Sequence, residues 1–209
     1  SAYMKTILCY LYESMADFEI TLLLHRLKNT GACRILSISE TLAPVLAQSG
    51  LRYVPDLRIQ DMESRLEEVD ALIIPGGPIN NTQNSICPMA KRMIEEGKLV
   101  GAICFAPQFL GRAGILDSYR FTTSCSPEKI RSLQCQNPFP WSNYVEARVV
   151  RDRNLITAKG YAFVDFSLEV CDALDIFSNP IQRYEQMGRI IESSPCFQAV
   201  SSSPTVQSS

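Results

Sequence analysis

The chain has 209 residues, with 20 Lys+Arg against 22 Asp+Glu, eight cysteines and a single histidine. That length suits one α/β domain, and a composition 46% hydrophobic and 20% charged excludes wholesale disorder. A net charge of −2 leaves no basic footprint for nucleic acid and no cationic face for a membrane. No apolar run approaches the roughly 18 residues that a membrane span needs.

In chain order, short β-rich runs alternate with segments of helical period, the pattern of a parallel sheet covered by helices. Residues 5–11 read as a central strand and 17–29 as an amphipathic helix ending at Gly31. Residues 33–39 form a second strand. Residues 51–59 are extended, with Pro55 marking an edge or a bend, and 64–68 make one helical turn. The buried strand 71–74 runs into Pro75-Gly76-Gly77-Pro78, and 88–96 is a helix stopped by Gly97.

Strand 98–103 meets Cys104, and helix 107–113 begins at once. A short strand at 121–123 precedes a helix at 127–133 capped by Ser126, and 136–143 is a loop. Residues 145–150 and 155–158 pair around a turn at 151–154. Helices are expected at 163–174 and 180–192, followed by a Ser-rich low-complexity tail from Ser193. The reading is one α/β domain over 4–178, a C-terminal helix at 179–192 and a tail at 193–209.

The cysteines, at 9, 33, 87, 104, 125, 135, 171 and 196, form no C-x-x-C and have no companion histidines for zinc. The first strand begins too early to leave room for a signal peptide, so most cysteines are expected to be reduced in a cytoplasmic protein. No metal or organic cofactor is implied.

Chemistry is expected at the C-terminal ends of buried strands, where open α/β sheets bind ligands. In Gly101-Ala102-Ile103-Cys104-Phe105-Ala106-Pro107 a strand breaks into a helix at a cysteine, as in a nucleophile elbow. A helix N-terminus favours an anion and would lower the Cys104 thiol pKa. The alternative is a cysteine that merely packs after a strand. The Gly76-Gly77 turn could offer backbone N–H groups which, with that of Phe105, hold an oxyanion. Glu19 lies where the first helix starts. There it is either an exposed charge complementing the helix dipole or an inward-turned acid whose pKa burial raises. Spacing leaves that choice open.

Five elements in order resemble the ThiJ/PfpI superfamily, the class I glutamine-amidotransferase-like proteins that include the Parkinsonism-associated protein. They are the first strand with Asp17-Phe18-Glu19, the turn Ile74–Gly77, the elbow Ala102–Pro107, Gly114–Thr122 and Asn154–Gly160. The resemblance implies a flavodoxin-like three-layer sandwich with a mostly parallel central sheet, commonly as a homodimer. It also implies Cys104 as nucleophile, Glu19 as its buried acidic partner, and Gly77 and Phe105 amides as oxyanion donors.

Two departures narrow the activity. Where many members carry T-T-H, this chain has Thr122-Thr123-Ser124, followed by Cys125. The one histidine, His25, lies six residues beyond Glu19, about 9 Å along the helix at 1.5 Å per residue, away from the strand tips. A Cys–His dyad is therefore not expected. What remains is a Cys104–Glu19 pair acting on a small-molecule substrate by hydrolase- or hydratase-like chemistry, with Ser124 and Cys125 lining the pocket. A second reading makes Cys104 an oxidation sensor that Cys125 resolves as a disulfide. A third is a non-catalytic scaffold binding a partner through loops such as Phe139-Pro140-Trp141.

Overall fold

The computed structural model describes residues 3–80 and 84–176. The expected helix at 180–192 and the Ser-rich tail lie outside the described residues. Chain order is β1 (Lys5–Tyr10), α1 (Phe18–Asn29), β2 (Cys33–Ser39), β3 (Val45–Leu46), β4 (Arg52–Tyr53), β5 (Leu57–Arg58), α2 (Ile59–Met62) and β6 (Ala71–Ile74). Then come α3 (Ile86–Glu95), β7 (Leu99–Ile103), α4 (Pro107–Arg112), α5 (Pro127–Leu133), β8 (Val149–Asp152), β9 (Leu155–Ala158) and α6 (Phe163–Ala173).

Seven strands form one sheet in the order β5-β2-β1-β6-β7-β9-β8, parallel throughout except that β8 runs antiparallel to β9. The inner order β2-β1-β6-β7-β9 is the doubly wound flavodoxin-like arrangement, and its direction of winding reverses at β1. β6 and β7 are buried at every residue, as strands covered on both faces must be. Gly101 in the middle of β7 makes room for the Phe166 ring of α6, which a Cβ there would meet at 3.0 Å.

One face of the sheet is covered by α1 and α6. Ile20, Leu23 and Leu27 recur at helical spacing on α1 and join Phe166 and Val170 of α6 over Ile7, Ile73 and Ile103. The other face takes α3, α4 and α5 through Ile86, Met89, Ala90, Phe109, Leu110 and Ile130, over Leu8, Leu72 and Val100. Two cores on two faces make the expected three-layer sandwich. No helix among the described residues is long and apolar enough to cross a membrane.

Four details differ from the sequence reading. Residues 51–59 break into β4, β5 and the start of α2, because Pro55 cannot donate to a continuous ladder. β4 pairs with β3 as a separate two-stranded ribbon. Residues 121–123 reduce to one bridge, Phe121 to Tyr144, since Thr122 N–H donates instead to the Thr157 Oγ1 at 2.9 Å. β8 starts at Val149 and continues through Asp152, so the turn is only Arg153-Asn154, with Arg153 at φ 53°. The loop at 136–143 packs against its own domain, with Phe139 buried and stacked on Phe121 at 6.0 Å between centroids.

Candidate active site

β7 ends at Cys104, which has φ +65° although it is not glycine. Left-handed backbone at a side-chain-bearing residue persists only when its surroundings hold it. Here Cys104 N–H donates to the Ala158 carbonyl at 2.8 Å. The Cys104 carbonyl accepts from Ser124 N–H at 3.0 Å and from Thr123 Oγ1 at 2.6 Å. The backbone is thus fixed on both sides, and the half-buried side chain stands at the sheet's C-terminal edge where α4 begins.

Glu19 turns inward. It is 1% exposed, so it is not the solvated dipole-complementing charge that spacing also allowed. Its Oε1 accepts from the Gly76 amide at 2.9 Å, and its carboxyl is hydrogen-bonded to the Cys104 thiol. Two glycines make this approach possible. A Cβ on Gly160 would stand 2.5 Å from Glu19 Oε2 and 3.0 Å from Cys104 Sγ, and one on Gly76 would collide with Glu19 and Cys104.

Burial raises the Glu19 pKa, opposed by its hydrogen bonds from Cys104 and Gly76. Burial, followed by the Glu19 charge, pushes the Cys104 thiol up to about 12, against favourable hydrogen bonds from Ser124 and the Phe105 amide. The Phe105 amide just before α4 lowers the thiol, in the direction expected of a helix N-terminus, but burial and the neighbouring carboxylate outweigh it. Two buried acids in contact titrate as a unit. The thiolate is favoured when the proton sits on Glu19, because the carboxylic acid then donates a hydrogen bond where the carboxylate would repel.

The remaining candidates divide. The Ser124 hydroxyl is hydrogen-bonded to Cys104 and accepts from the Gly160 amide at 2.8 Å. The Phe105 N–H points at the Cys104 thiol. Gly76 N–H is committed to Glu19, which leaves Gly77 as the diglycine amide without that commitment. A Cβ on Gly77 would meet the Tyr12 ring, its hydroxyl oxygen at 2.5 Å. Cys125 is buried in the core under the opposite face from the one Cys104 packs against, and its Sγ lies 3.7 Å from the Ser126 carbonyl. His25 is exposed on α1. Among the described residues no group of three or more His, Cys, Asp or Glu could hold a metal ion.

Several contributing residues carried no signal in sequence. Tyr12 donates to the Pro75 carbonyl at 2.7 Å, and burial, together with the charges of Tyr10, Glu19 and Cys104, holds its pKa well above the ordinary phenol value. Asp17 accepts from Ser49 Oγ at 2.5 Å and Tyr53 OH at 2.6 Å, clasping the β3–β4 ribbon to the start of α1. A polar residue after a strand was the only available hint, and it does not name a partner.

The sequence model of the DJ-1/PfpI family matches residues 5–173. The chain is 26% identical over 186 residues to a Bacillus subtilis protein named uncharacterized protease YoaZ, covering 83% of this chain and 85% of the relative. It is 29% identical to the glutathione-independent glyoxalase DJR-1.2 of Caenorhabditis elegans, over 69% of this chain and 75% of that one. It is 31% identical to deglycase PH1704 of Pyrococcus horikoshii, over 68% and 82%. Among solved structures, the DJ-1 superfamily protein Atu0886 of Agrobacterium tumefaciens superimposes with a TM-score of 0.75 at 25% identity, over 90% of this chain and 99% of that one. The elbow, the inward acid and the doubly wound sheet thus sit within a match that spans nearly all of the described residues, and the chain belongs to the DJ-1/PfpI family.

Proposed function

We propose that this protein is a cysteine-dependent hydrolase- or hydratase-like enzyme acting on a small electrophilic carbonyl compound, with Cys104 as nucleophile and Glu19 as its proton partner. The observation that carries this is the buried Glu19 carboxyl hydrogen-bonded to the thiol at a left-handed elbow, with the chain's histidine exposed elsewhere. Relatives named a glyoxalase and a deglycase support the same chemistry.

The thiol proton passes to Glu19, and the thiolate electron pair forms an S–C bond to the carbonyl carbon. The C=O π pair moves to oxygen, where the Gly77 and Phe105 N–H groups face the developing charge. Glu19 then returns its proton to that oxygen, giving a hemithioacetal, or to a leaving group that departs as the C=O reforms, giving a thioester. Water adds its oxygen to the same carbon, the S–C bond breaks with its electron pair going to sulfur, and a water proton restores the thiol. Ser124 holds the thiolate in place. Methylglyoxal is a suitable probe: the wild type consumes it and Cys104→Ser loses about 10³-fold or more of the rate. Full turnover by Cys104→Ser ends the reading.

A second reading draws on the same hydrogen bond, since a carboxylic acid on Sγ also stabilises a sulfenate. A preferential 16 Da gain at Cys104 after mild peroxide would support it, and no preference there would remove it. The proposal includes a homodimer, supported by exposed apolar side chains at Leu42, Leu46, Leu51 and Val54 around the β3–β4 ribbon. Sedimentation as a monomer would remove that part. The unpaired state of the seven described cysteines supports a reducing, cytoplasmic setting.

A further inference from the structure

Tyr12 lies just beyond the end of β1, on the same face of the chain as Tyr10, and its ring stacks on the Tyr10 ring at 5.0 Å between centroids. Both rings meet the Phe109 ring of α4 edge-on, Tyr12 at 5.3 Å and Tyr10 at 5.8 Å. This aromatic packing fixes where the Tyr12 hydroxyl points. It donates to the Pro75 carbonyl at 2.7 Å. The ring also lies against Gly77, where an added Cβ would come within 2.6 Å of Tyr12 Cε2.

The Pro75 carbonyl and the Gly76 N–H are the two ends of one planar peptide group. That N–H donates to Glu19 Oε1 at 2.9 Å, and the Glu19 carboxyl is hydrogen-bonded to the Cys104 thiol. The Gly76 carbonyl accepts from Ala16 N–H at 2.8 Å. The segment from Tyr12 to Glu19 therefore grips the turn after β6 at Pro75, Gly76 and Gly77 alike. A donor on the carbonyl end of a peptide group polarises it, so the N–H at the other end becomes a stronger donor. The phenol keeps its proton to give. Burial, then the charges of Tyr10, Glu19 and Cys104, hold its pKa well above the ordinary value, with Arg112 opposing.

We propose that Tyr12 is a positioning residue for the Cys104–Glu19 pair, acting through the Pro75–Gly76 peptide group to decide how readily Glu19 takes the thiol proton. The inference rests on the Cys104-centred reading and adds a residue to it. Without the hydroxyl, Gly76 N–H is a weaker donor and the Glu19 carboxylate is less stable. A larger share of the pair then carries its proton on Glu19 and its charge on sulfur.

The test is Cys104 alkylation by iodoacetamide against pH, read by peptide mass mapping; the thiolate forms the S–CH2 bond and iodide leaves. A coupled pair gives two steps, the first as it loses one proton and the second as the thiol ionises beside a carboxylate. Tyr12→Phe keeps the ring and removes the hydroxyl. The first midpoint is expected to move to higher pH and the rate between the steps to rise. Both changes share one factor of about two- to fivefold, as for a charge-assisted bond weakened by about 10–30%. On a Glu19→Gln background, Tyr12→Phe is expected to leave the single remaining step in place, because no carboxylate is left to tune. A shift in the opposite direction, an equal change in both backgrounds or no change in either overturns the proposal.

Should Tyr12→Phe not fold, 3-fluorotyrosine placed at position 12 gives the reverse test. Its more acidic phenol donates more strongly, so the first midpoint is expected to move to lower pH, and an unmoved midpoint overturns the proposal. The readings fail separately. A Cys104 inert to iodoacetamide defeats the nucleophile and the proposal with it, and a single step unmoved by Glu19→Gln defeats the pair. A two-step profile blind to Tyr12 defeats only the positioning role.

Discussion

The carboxyl of Glu19, on α1, is hydrogen-bonded to the thiol of Cys104, at the end of β7, in an enclosure that only glycine at 76 and 160 permits. Neither side chain could approach the other without those two bare backbones. The pair is therefore a product of four segments: α1, the turn after β6, the elbow after β7 and the residue that follows Lys159 beyond β9.

That dependence predicts the behaviour of Gly160→Ala. The added methyl would lie 2.5 Å from Glu19 Oε2, so the carboxyl must move off the thiol. Overpacking of this kind costs about 1–3 kcal/mol of stability. Turnover and the Cys104 alkylation profile are expected to change far more than the melting temperature. A variant with wild-type alkylation and turnover would show that the close approach is dispensable.

Asp17 gives a pH-dependent stability prediction. Burial pushes its pKa up, but the hydrogen bonds from Ser49 and Tyr53 outweigh burial and hold it below the usual 3.8. A carboxylate depressed in the folded state contributes stability above its unfolded pKa and loses it as pH falls through the folded value. Asp17→Asn should therefore be less stable than wild type at pH 7 by about 1.5–3 kcal/mol, the range for hydrogen bonds to a charged group. The gap should narrow below about pH 4. Chemical denaturation at pH 7 and pH 3 checks this, and a gap independent of pH would assign Asp17 no charge-dependent role.

His25 supplies a negative prediction. It is exposed on α1, and its carbonyl accepts a local bond from Asn29 Nδ2 at 2.7 Å. His25→Asn should leave the rate and its pH profile within about twofold of wild type, since surface changes away from special features shift energies by within about 0.5 kcal/mol. A lost limb in the pH–rate profile would return histidine to the mechanism.

How far the sequence spoke can be seen residue by residue. β1, β6, β7 and β9 are buried on both faces and read as continuous apolar runs, so their strand character was local information. The elbow at Cys104 and the diglycine turn were legible for the same reason, because their conformations demand particular local residues. The inward turn of Glu19 was not. Its neighbours Phe18 and Ile20 point one out and one in, with Phe18 56% exposed and Ile20 2%, and only the Gly76 amide and the thiol select the buried rotamer. Asp17 was silent because its partners, Ser49 and Tyr53, come from a distant segment of the chain. The thiol's upward pKa shift was missed on physical grounds: helix-terminus position is written in sequence, whereas burial and a neighbouring carboxylate are not.

The pairing of Glu19 with Cys104 is tested most directly by the pH dependence of Cys104 alkylation by iodoacetamide in wild type and Glu19→Gln. The Glu19 charge is among the causes that push the thiol up to about 12, and glutamine keeps the shape while removing that charge. The account predicts a lower midpoint in Glu19→Gln than in wild type. A midpoint that stays where it is, or moves upward, would contradict it.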